Sequence, residues 1–180
     1  MAKIKLTDLS EVTEVEPTDL LYLVDDGDKK VTAMNIAMKG KINSGAQIYN
    51  NANTQILDRT DTALTFNSEV YDTDNYHSTS SDTGRIYAPA TGIYMVLVSL
   101  HWSSDNSGGR RGWLRHQGGT ILNQSTITGY GNLVANSFLS LVNLTEGEYF
   151  EVWVRQWASA TLDIYYSWKF SNFVTIRRLA

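Results

Sequence analysis

The sequence contains no cysteine and only two prolines among its 180 residues. Without thiols the chain can form no disulfide, no thiolate nucleophile, no iron–sulfur cluster and no cysteine-ligated zinc site. Its stability must therefore come from packing, either within one chain or between subunits. A chain of this length can bury a sizeable hydrophobic core without covalent cross-links.

The sequence also lacks an excess of basic residues and lacks long hydrophobic runs. It has 15 Lys and Arg against 19 Asp and Glu, a formal net charge of -4, which disfavours a general nucleic-acid binder. The longest apolar stretch, residues 93–100, is far shorter than the ~20 residues of a membrane-spanning helix. The first twenty residues are charged and contain no apolar signal core. We expect a chain made in a cytosol, without membrane insertion.

The net negative charge is concentrated in residues 1–31, which predicts a separate N-terminal module joined to a neutral body. An apolar run over residues 20–24 is followed by an Asp/Gly-rich turn and by a second extended run over residues 29–32. This pattern predicts a β-hairpin, followed by a short helix over residues 33–39. The alternative is a disordered acidic tail. We place the module and its linker at residues 1–46 and the body at residues 47–180.

The body has almost no helical periodicity and consists of short β-rich runs separated by turn clusters. This spacing predicts an all-β fold, a jelly-roll β-sandwich. The expected strands span residues 54–57, 63–66, 85–88, 92–102, 112–117, 133–141, 149–157, 162–170 and 173–178.

Several expected strands have apolar residues on both faces, most clearly residues 93–102. A strand with one solvent-facing side should alternate apolar and polar residues, so two apolar faces predict burial on both sides. One sandwich offers one core, and the simplest second buried place is a subunit interface. The alternative is that large aromatic side chains fill a broad core. The residues predicted to form the interface are Tyr94, Val96, Trp153, Tyr166, Trp168, Phe170 and Phe173.

Four motifs of the body resemble, in the same order, those of the jelly-roll family shared by tumour necrosis factor and the complement globular head. The first motif is the strand at residues 63–66, and the second is a strand that leads through a proline and a glycine turn into the next strand, at residues 85–94. The third is the Leu-x-x-Gly-Glu turn into a strand at residues 144–154, and the fourth is the closing strand at residues 171–176. Thr175 stands where the family usually has glycine. The resemblance covers residues 52–180. It implies a homotrimer with aromatic residues at its centre, and no enzymatic activity.

The N-terminal segment resembles the short leader found on many tailed-phage fibre and virion-surface proteins. The resemblance rests on residues 18–27, followed by residues 29–32 and 35–36. It implies attachment to another virion protein of the capsid or tail. The residues expected to make this attachment are Leu20, Leu21, Tyr22, Leu23, Val24 and Ile36. The combination predicts a structural protein of a bacteriophage particle, a trimeric knob of a head decoration, head fibre or tail fibre that is made in the host cytoplasm and resides in the virion.

No catalytic, cofactor or metal motif stands out in the sequence. It has no Gly-x-Ser-x-Gly elbow, no phosphate-binding glycine loop and no dinucleotide fingerprint. His77, His101 and His116 are too far apart in the chain to form a local metal motif. An oxygen-rich segment suggests a calcium loop formed by Asp72, Asp74 and Asp82, with Thr73 and Asn75, although a solvated loop is the simpler interpretation. We therefore expect no cofactor and no enzyme.

Arginines surround one tryptophan in the middle of the body: Arg110, Arg111 and Arg115 flank Trp113. Guanidinium donors beside an aromatic ring suit contact with a host-surface glycan, and we assign that contact to Arg110, Arg111 and Trp113. The alternative is an inter-subunit salt-bridge cluster with acidic partners such as Asp105. The sequence thus leaves a second function open, a lectin-like receptor-binding module. A third possibility, an enzyme acting on envelope polysaccharide, has no motif in its favour.

Overall fold

A computed structural model of the chain describes residues 20–22, 30–32, 44–129, 134–167 and 171–179. The chain divides into two compact units, Met1–Asn43 and Ser44–Ala180. In the described part of the first unit, strand β1 (Leu20–Tyr22) pairs antiparallel with strand β2 (Lys30–Thr32), with Leu21 opposite Val31. This pairing confirms the predicted hairpin. The predicted turn and helix, together with Leu23, Val24 and Ile36, lie outside the described residues.

The described part of the second unit consists of two β-sheets. Its strands are β3 (Gly45–Tyr49), β4 (Thr54–Ile56), β5 (Thr62–Ala63), β6 (Ser68–Asp72), β7 (Arg85–Tyr87), β8 (Gly92–Trp102), β9 (Gly109–His116), β10 (Ile121–Thr128), β11 (Val134–Leu144), β12 (Tyr149–Gln156), β13 (Leu162–Ile164) and β14 (Phe173–Arg178). The five-stranded sheet has the order β10-β9-β12-β5, with β7 also on β12. The seven-stranded sheet has the order β4-β13-β8-β14-β3-β6, with β11 also paired with β8.

The connectivity is that of a jelly roll. The chain passes from β8 in the seven-stranded sheet to β9 and β10 in the five-stranded sheet, returns to β11, crosses again to β12, and ends with β13 and β14 in the seven-stranded sheet. The pairings between these strands are antiparallel. The predicted all-β jelly-roll sandwich is confirmed. None of the described segments is a helix of the length and hydropathy that crossing a membrane requires.

The core lies between the two sheets and is built mainly by alternation along the strands. On β12, Phe150, Val152 and Val154 point inward and are fully buried, while their neighbours in the chain point outward. On β8, the inward positions run from Tyr94 to Trp102, and both of these rings are fully buried. Burying an apolar side chain of this size stabilises the fold by roughly 1.5–3 kcal/mol.

This core corrects part of the interface prediction. Tyr94 and Val96 are 0% exposed within the single chain, so they have no surface to offer a sister chain and their assignment to an interface is wrong. The opposite face of β8 carries Ile93, Met95 and Leu97, and Ile93 is 46% exposed. Both faces of the strand are apolar as predicted. The face with Tyr94 and Val96, which was assigned to an interface, lies in the core, and the face with Ile93 lies on the outside.

Three strands are absent from the predicted set. β6 and β10 are polar strands whose side chains are mostly exposed or half-buried, so they carry little apolar signal. β3 begins at Gly45, inside the predicted linker, because Gly45 pairs with Arg177 of the last strand. The predicted strand over residues 162–170 is shorter: the described sheet pairing ends at Ile164, and Tyr165–Ser167 leave the sheet.

Candidate functional site

The outward side of the seven-stranded sheet is apolar, and we call it the apolar face. The register places Leu141 of β11 opposite Met95 of β8, and Leu139 opposite Leu97. Directly opposed side chains in a sheet lie about 5 Å apart and touch. The exposed members are Leu139 at 55%, Leu141 at 65% and Ile93 at 46%. The apolar face is therefore formed by Ile93, Met95, Leu97, Leu139, Leu141 and Phe173.

An aromatic cluster closes one end of the apolar face. Phe173 of β14 lies opposite Tyr49 of β3, and both side chains are half-buried. The Tyr49 ring stacks on the Tyr166 ring, with centroids 6.5 Å apart and planes 12° from parallel. Of the residues predicted for an interface, Phe173 and Tyr166 thus lie together here. Trp168 and Phe170 are outside the described residues.

The outward side of the five-stranded sheet has a different chemistry, and we call it the arginine face. On β9 its residues are Arg111, Trp113 and Arg115, and on β12 they are Glu151, Trp153 and Arg155. The register pairs Trp113 with Trp153, Arg111 with Arg155 and Arg115 with Glu151. The two indoles stack with centroids 6.3 Å apart and planes 24° from parallel.

Guanidinium groups cover the indoles of the arginine face. The Cζ atom of Arg111 lies 4.7 Å from the ring centre of Trp113, and that of Arg115 lies 4.7 Å from the ring centre of Trp153. Such cation–π contacts are worth ~0.5–1 kcal/mol at exposed sites. Trp113 is only 4% exposed. It therefore cannot offer its ring face to a sugar, and its assignment as a glycan platform is wrong.

Arg110 is on the other side of the same strand, inside the sandwich. Its side chain is 0% exposed. The guanidinium donates hydrogen bonds to the carbonyl oxygens of Ser107, Gly108 and Asp105, and it lies 3.7 Å from the Asp105 carboxylate. Burial lowers the pKa of Arg110, although an arginine stays charged in proteins. The predicted glycan contact of Arg110 is wrong, because the guanidinium is buried and binds the carbonyl oxygens of the loop before β9 in its own chain.

Trp153 belongs to the arginine face, whereas Phe173 and Tyr166 belong to the apolar face. The outward faces of the two sheets lie on opposite sides of the sandwich. One flat interface therefore cannot include all three residues, although the sequence grouped them together.

In the segment that suggested a calcium loop, the Asp72 carboxylate binds the backbone of its own chain. The Asp72 carboxylate accepts hydrogen bonds from the backbone N–H groups of Asp74, Tyr76 and His77, at 2.9–3.2 Å. The buried His77 ring donates its Nε2–H to the Thr83 carbonyl at 3.1 Å. Within the described ranges, no three His, Cys, Asp or Glu side chains are grouped so as to hold a metal ion.

The other two histidines lie elsewhere in the unit. His101 follows the apolar face along β8, opposite Ala135, and burial lowers the pKa of His101. His116 lies at the end of β9, where its Nε2 is 3.4 Å from the Glu148 carboxylate. The pKa of Glu148 is lowered chiefly because its carboxylate accepts the backbone N–H of Thr145.

Prediction from sequence missed Leu139 and Leu141, the most exposed apolar side chains of the apolar face. The signal was present in the stretch over residues 138–142, where four large apolar residues surround Ser140. Such a run contradicts simple alternation and indicates a strand that is apolar on both sides.

Comparison with solved structures places this architecture among known folds. The Eiger tumour necrosis factor of S. frugiperda superposes with a TM-score of 0.54 at 15% identity, covering 76% of this chain and 92% of that one. Murine APRIL gives 0.57 at 14% identity, with 76% and 98% covered. The globular domain of the zebrafish complement 1qA protein gives 0.52 at 15% identity, with 76% and 98% covered. No family model and no curated protein matches the sequence.

The fold is therefore the jelly roll of tumour necrosis factor and the complement globular head. At 14–15% identity the likeness concerns the fold alone.

Proposed function

We propose that this chain is a homotrimeric head domain that assembles through its apolar face. The observation that carries the proposal is the contiguous exposed surface around Leu139 and Leu141. Soluble monomers rarely leave a large contiguous apolar patch in water, and such a patch commonly marks an interface. The number of copies rests on the resemblance to the tumour necrosis factor and complement family, which implies three.

The role that follows is assembly and binding rather than catalysis. We further propose that the chain is a structural component of a bacteriophage particle and resides in the virion. This rests on the likeness of residues 18–36 to a tailed-phage leader. A two-stranded hairpin is marginally stable alone in water, so the β1–β2 segment needs a docking partner. We propose that another virion protein, of the capsid or the tail, provides it.

Two measurements test these proposals. Sedimentation velocity of the full chain at neutral pH should give the mass of three chains. A monodisperse monomer at micromolar concentration would exclude the assembly role. Separately, purified particles of the phage that carries the gene should contain the chain, and a chain lacking residues 1–43 should be absent from them. Unchanged incorporation of the shortened chain would refute the attachment role and leave the trimer untouched.

A further inference from the structure

The arginine face carries positive charge that its own chain does not neutralise. Arg155 lies 3.2 Å from the Asp61 carboxylate, and Arg85 lies 3.2 Å from the Asp82 carboxylate. Arg111 and Arg115, in contrast, have no carboxylate within 4.0 Å anywhere in the described ranges. The face therefore presents two unpaired guanidinium groups on one strand.

The acidic residue closest in register is already engaged. Glu151 lies opposite Arg115 in the sheet. Its carboxylate accepts the indole N–H of Trp153 at 2.8 Å and lies 3.9 Å from the Nε of Arg85. The Glu151 carboxylate is thus directed to Trp153 and Arg85 and not to Arg115.

Both free guanidinium groups are held in place. Arg111 lies over the Trp113 ring and donates one Nη2–H to the side-chain oxygen of Gln124. Arg115 lies over the Trp153 ring. A guanidinium that is already stacked loses less entropy when it binds an anion, and its planar fork matches a carboxylate. The remaining N–H groups of both residues have no partner in the described part of the chain.

Two guanidinium groups on one strand suit a ligand that carries more than one negative charge. The Cα atoms of Arg111 and Arg115 are separated by roughly 13 Å. Both side chains lean onto the stacked indoles between them, whose centroids are 6.3 Å apart. A chain with regularly repeated negative charges can meet both groups at once.

The aromatic rings of the face disfavour nucleic acid. Each ring lies under a guanidinium group: Tyr149, Trp113, Trp153 and Trp157 under Arg85, Arg111, Arg115 and Arg155. Covered rings cannot serve as the open stacking platforms that single-stranded nucleic acids use. The net charge of -4 also opposes general binding of nucleic acid.

We propose that the arginine face binds an acidic polysaccharide through Arg111 and Arg115. The site is complete in one chain, because all of its residues come from neighbouring strands of one sheet. It lies on the sheet opposite the apolar face, so it stays open when copies associate through that face. Three copies would then bind one polymer with increased avidity.

Binding to alginate, a polymer of uronic acids, tests the proposal with the full chain. Wild type should bind alginate and not neutral dextran of the same length, and added salt should weaken the binding. Arg115→Gln and Arg111→Gln should each weaken it by about tenfold, since each removes charge-assisted hydrogen bonds. Arg115→Lys, which keeps the charge but loses the planar fork, should fall in between.

Arg59→Gln is the matched control, because Arg59 is an exposed arginine paired with Asp58. It removes the same charge and should leave the affinity unchanged. Near-ultraviolet circular dichroism and the sedimentation mass of each variant establish that the fold and assembly persist. The proposal is overturned if Arg111→Gln and Arg115→Gln bind alginate like wild type, or if dextran binds equally well. It is also overturned if polyglutamate or a single-stranded oligonucleotide binds more tightly than alginate.

Discussion

Replacing Leu141 by glutamate should convert the proposed trimer to monomers. Leu141 is 65% exposed in the single chain. Fully burying a leucine side chain is worth roughly 1.5–3 kcal/mol, so covering the exposed part contributes roughly 1–2 kcal/mol per chain and roughly 3–6 kcal/mol per trimer. At about 1.4 kcal/mol per tenfold change, losing this contribution alone weakens association by roughly a hundredfold to ten-thousandfold.

The glutamate adds a second, larger penalty. Three carboxylates would be buried close together without partners, and each uncompensated charge costs several kcal/mol. Leu141→Ala isolates the hydrophobic contribution, whereas Leu141→Glu combines both effects. We expect Leu141→Ala to raise the concentration at which the trimer dissociates, and Leu141→Glu to abolish the trimer at any practical concentration.

Sedimentation velocity over a concentration series measures both effects. Leu57→Glu is the control, because Leu57 is 58% exposed but is not part of the apolar face. It precedes Asp58, which pairs with Gln156 of the five-stranded sheet. This variant should stay trimeric. A trimer that survives Leu141→Glu, or that dissociates equally in Leu57→Glu, would show that the apolar face is not the interface.

Three further predictions concern the single chain. Gly108 has a φ of +66°, and an added Cβ would lie 1.9 Å from the Trp157 carbonyl oxygen. Gly108→Ala should therefore cost about 3 kcal/mol or more in urea unfolding, whereas Gly118→Ala should change little, and equal losses would contradict the reasoning. Phe150→Ala removes a fully buried ring and should cost roughly 3–5 kcal/mol; a loss below about 1 kcal/mol would mean that the ring is not in the core. Burial lowers the pKa of His101 from about 6.5, so the folded state disfavours its protonation. The stability that His101 contributes is present above pH 6.5 and is lost as the pH falls. The urea midpoint should therefore drop more in wild type than in His101→Gln when the pH is lowered from 7.5 to 5.5. Equal drops in the two proteins would refute this.

The two arginine neighbours show why a cluster in sequence is not a cluster in space. Arg110 and Arg111 are adjacent, and the sequence suggested one shared glycan contact. In a strand, successive side chains point to opposite faces. Arg110 is therefore enclosed in the sandwich with the carbonyls of the preceding loop, while Arg111 stacks on Trp113 outside. The position of the second sheet was needed to show which of the two is inside.

Strand β8 shows the same limit for apolar residues. Its alternation predicted two apolar faces, and the structure has them. The assignment of Tyr94 and Val96 to an interface was wrong, because alternation separates a strand into two faces without stating which one meets the second sheet. Packing against the five-stranded sheet decides this: it buries Tyr94 and Val96 and leaves Met95 and Leu97 on the outside, beside Leu141 and Leu139 of β11.

The sequence by itself determined the all-β class, most strand positions, the turns and the hairpin near the N-terminus. These features follow from local periodicity and turn chemistry, which depend on residues close together in the chain. Only the tertiary structure decided which apolar face is covered, which arginines lack partners and which tryptophan is hidden. Those properties depend on side chains from strands far apart in the chain, as when Arg85 and Trp153 engage Glu151.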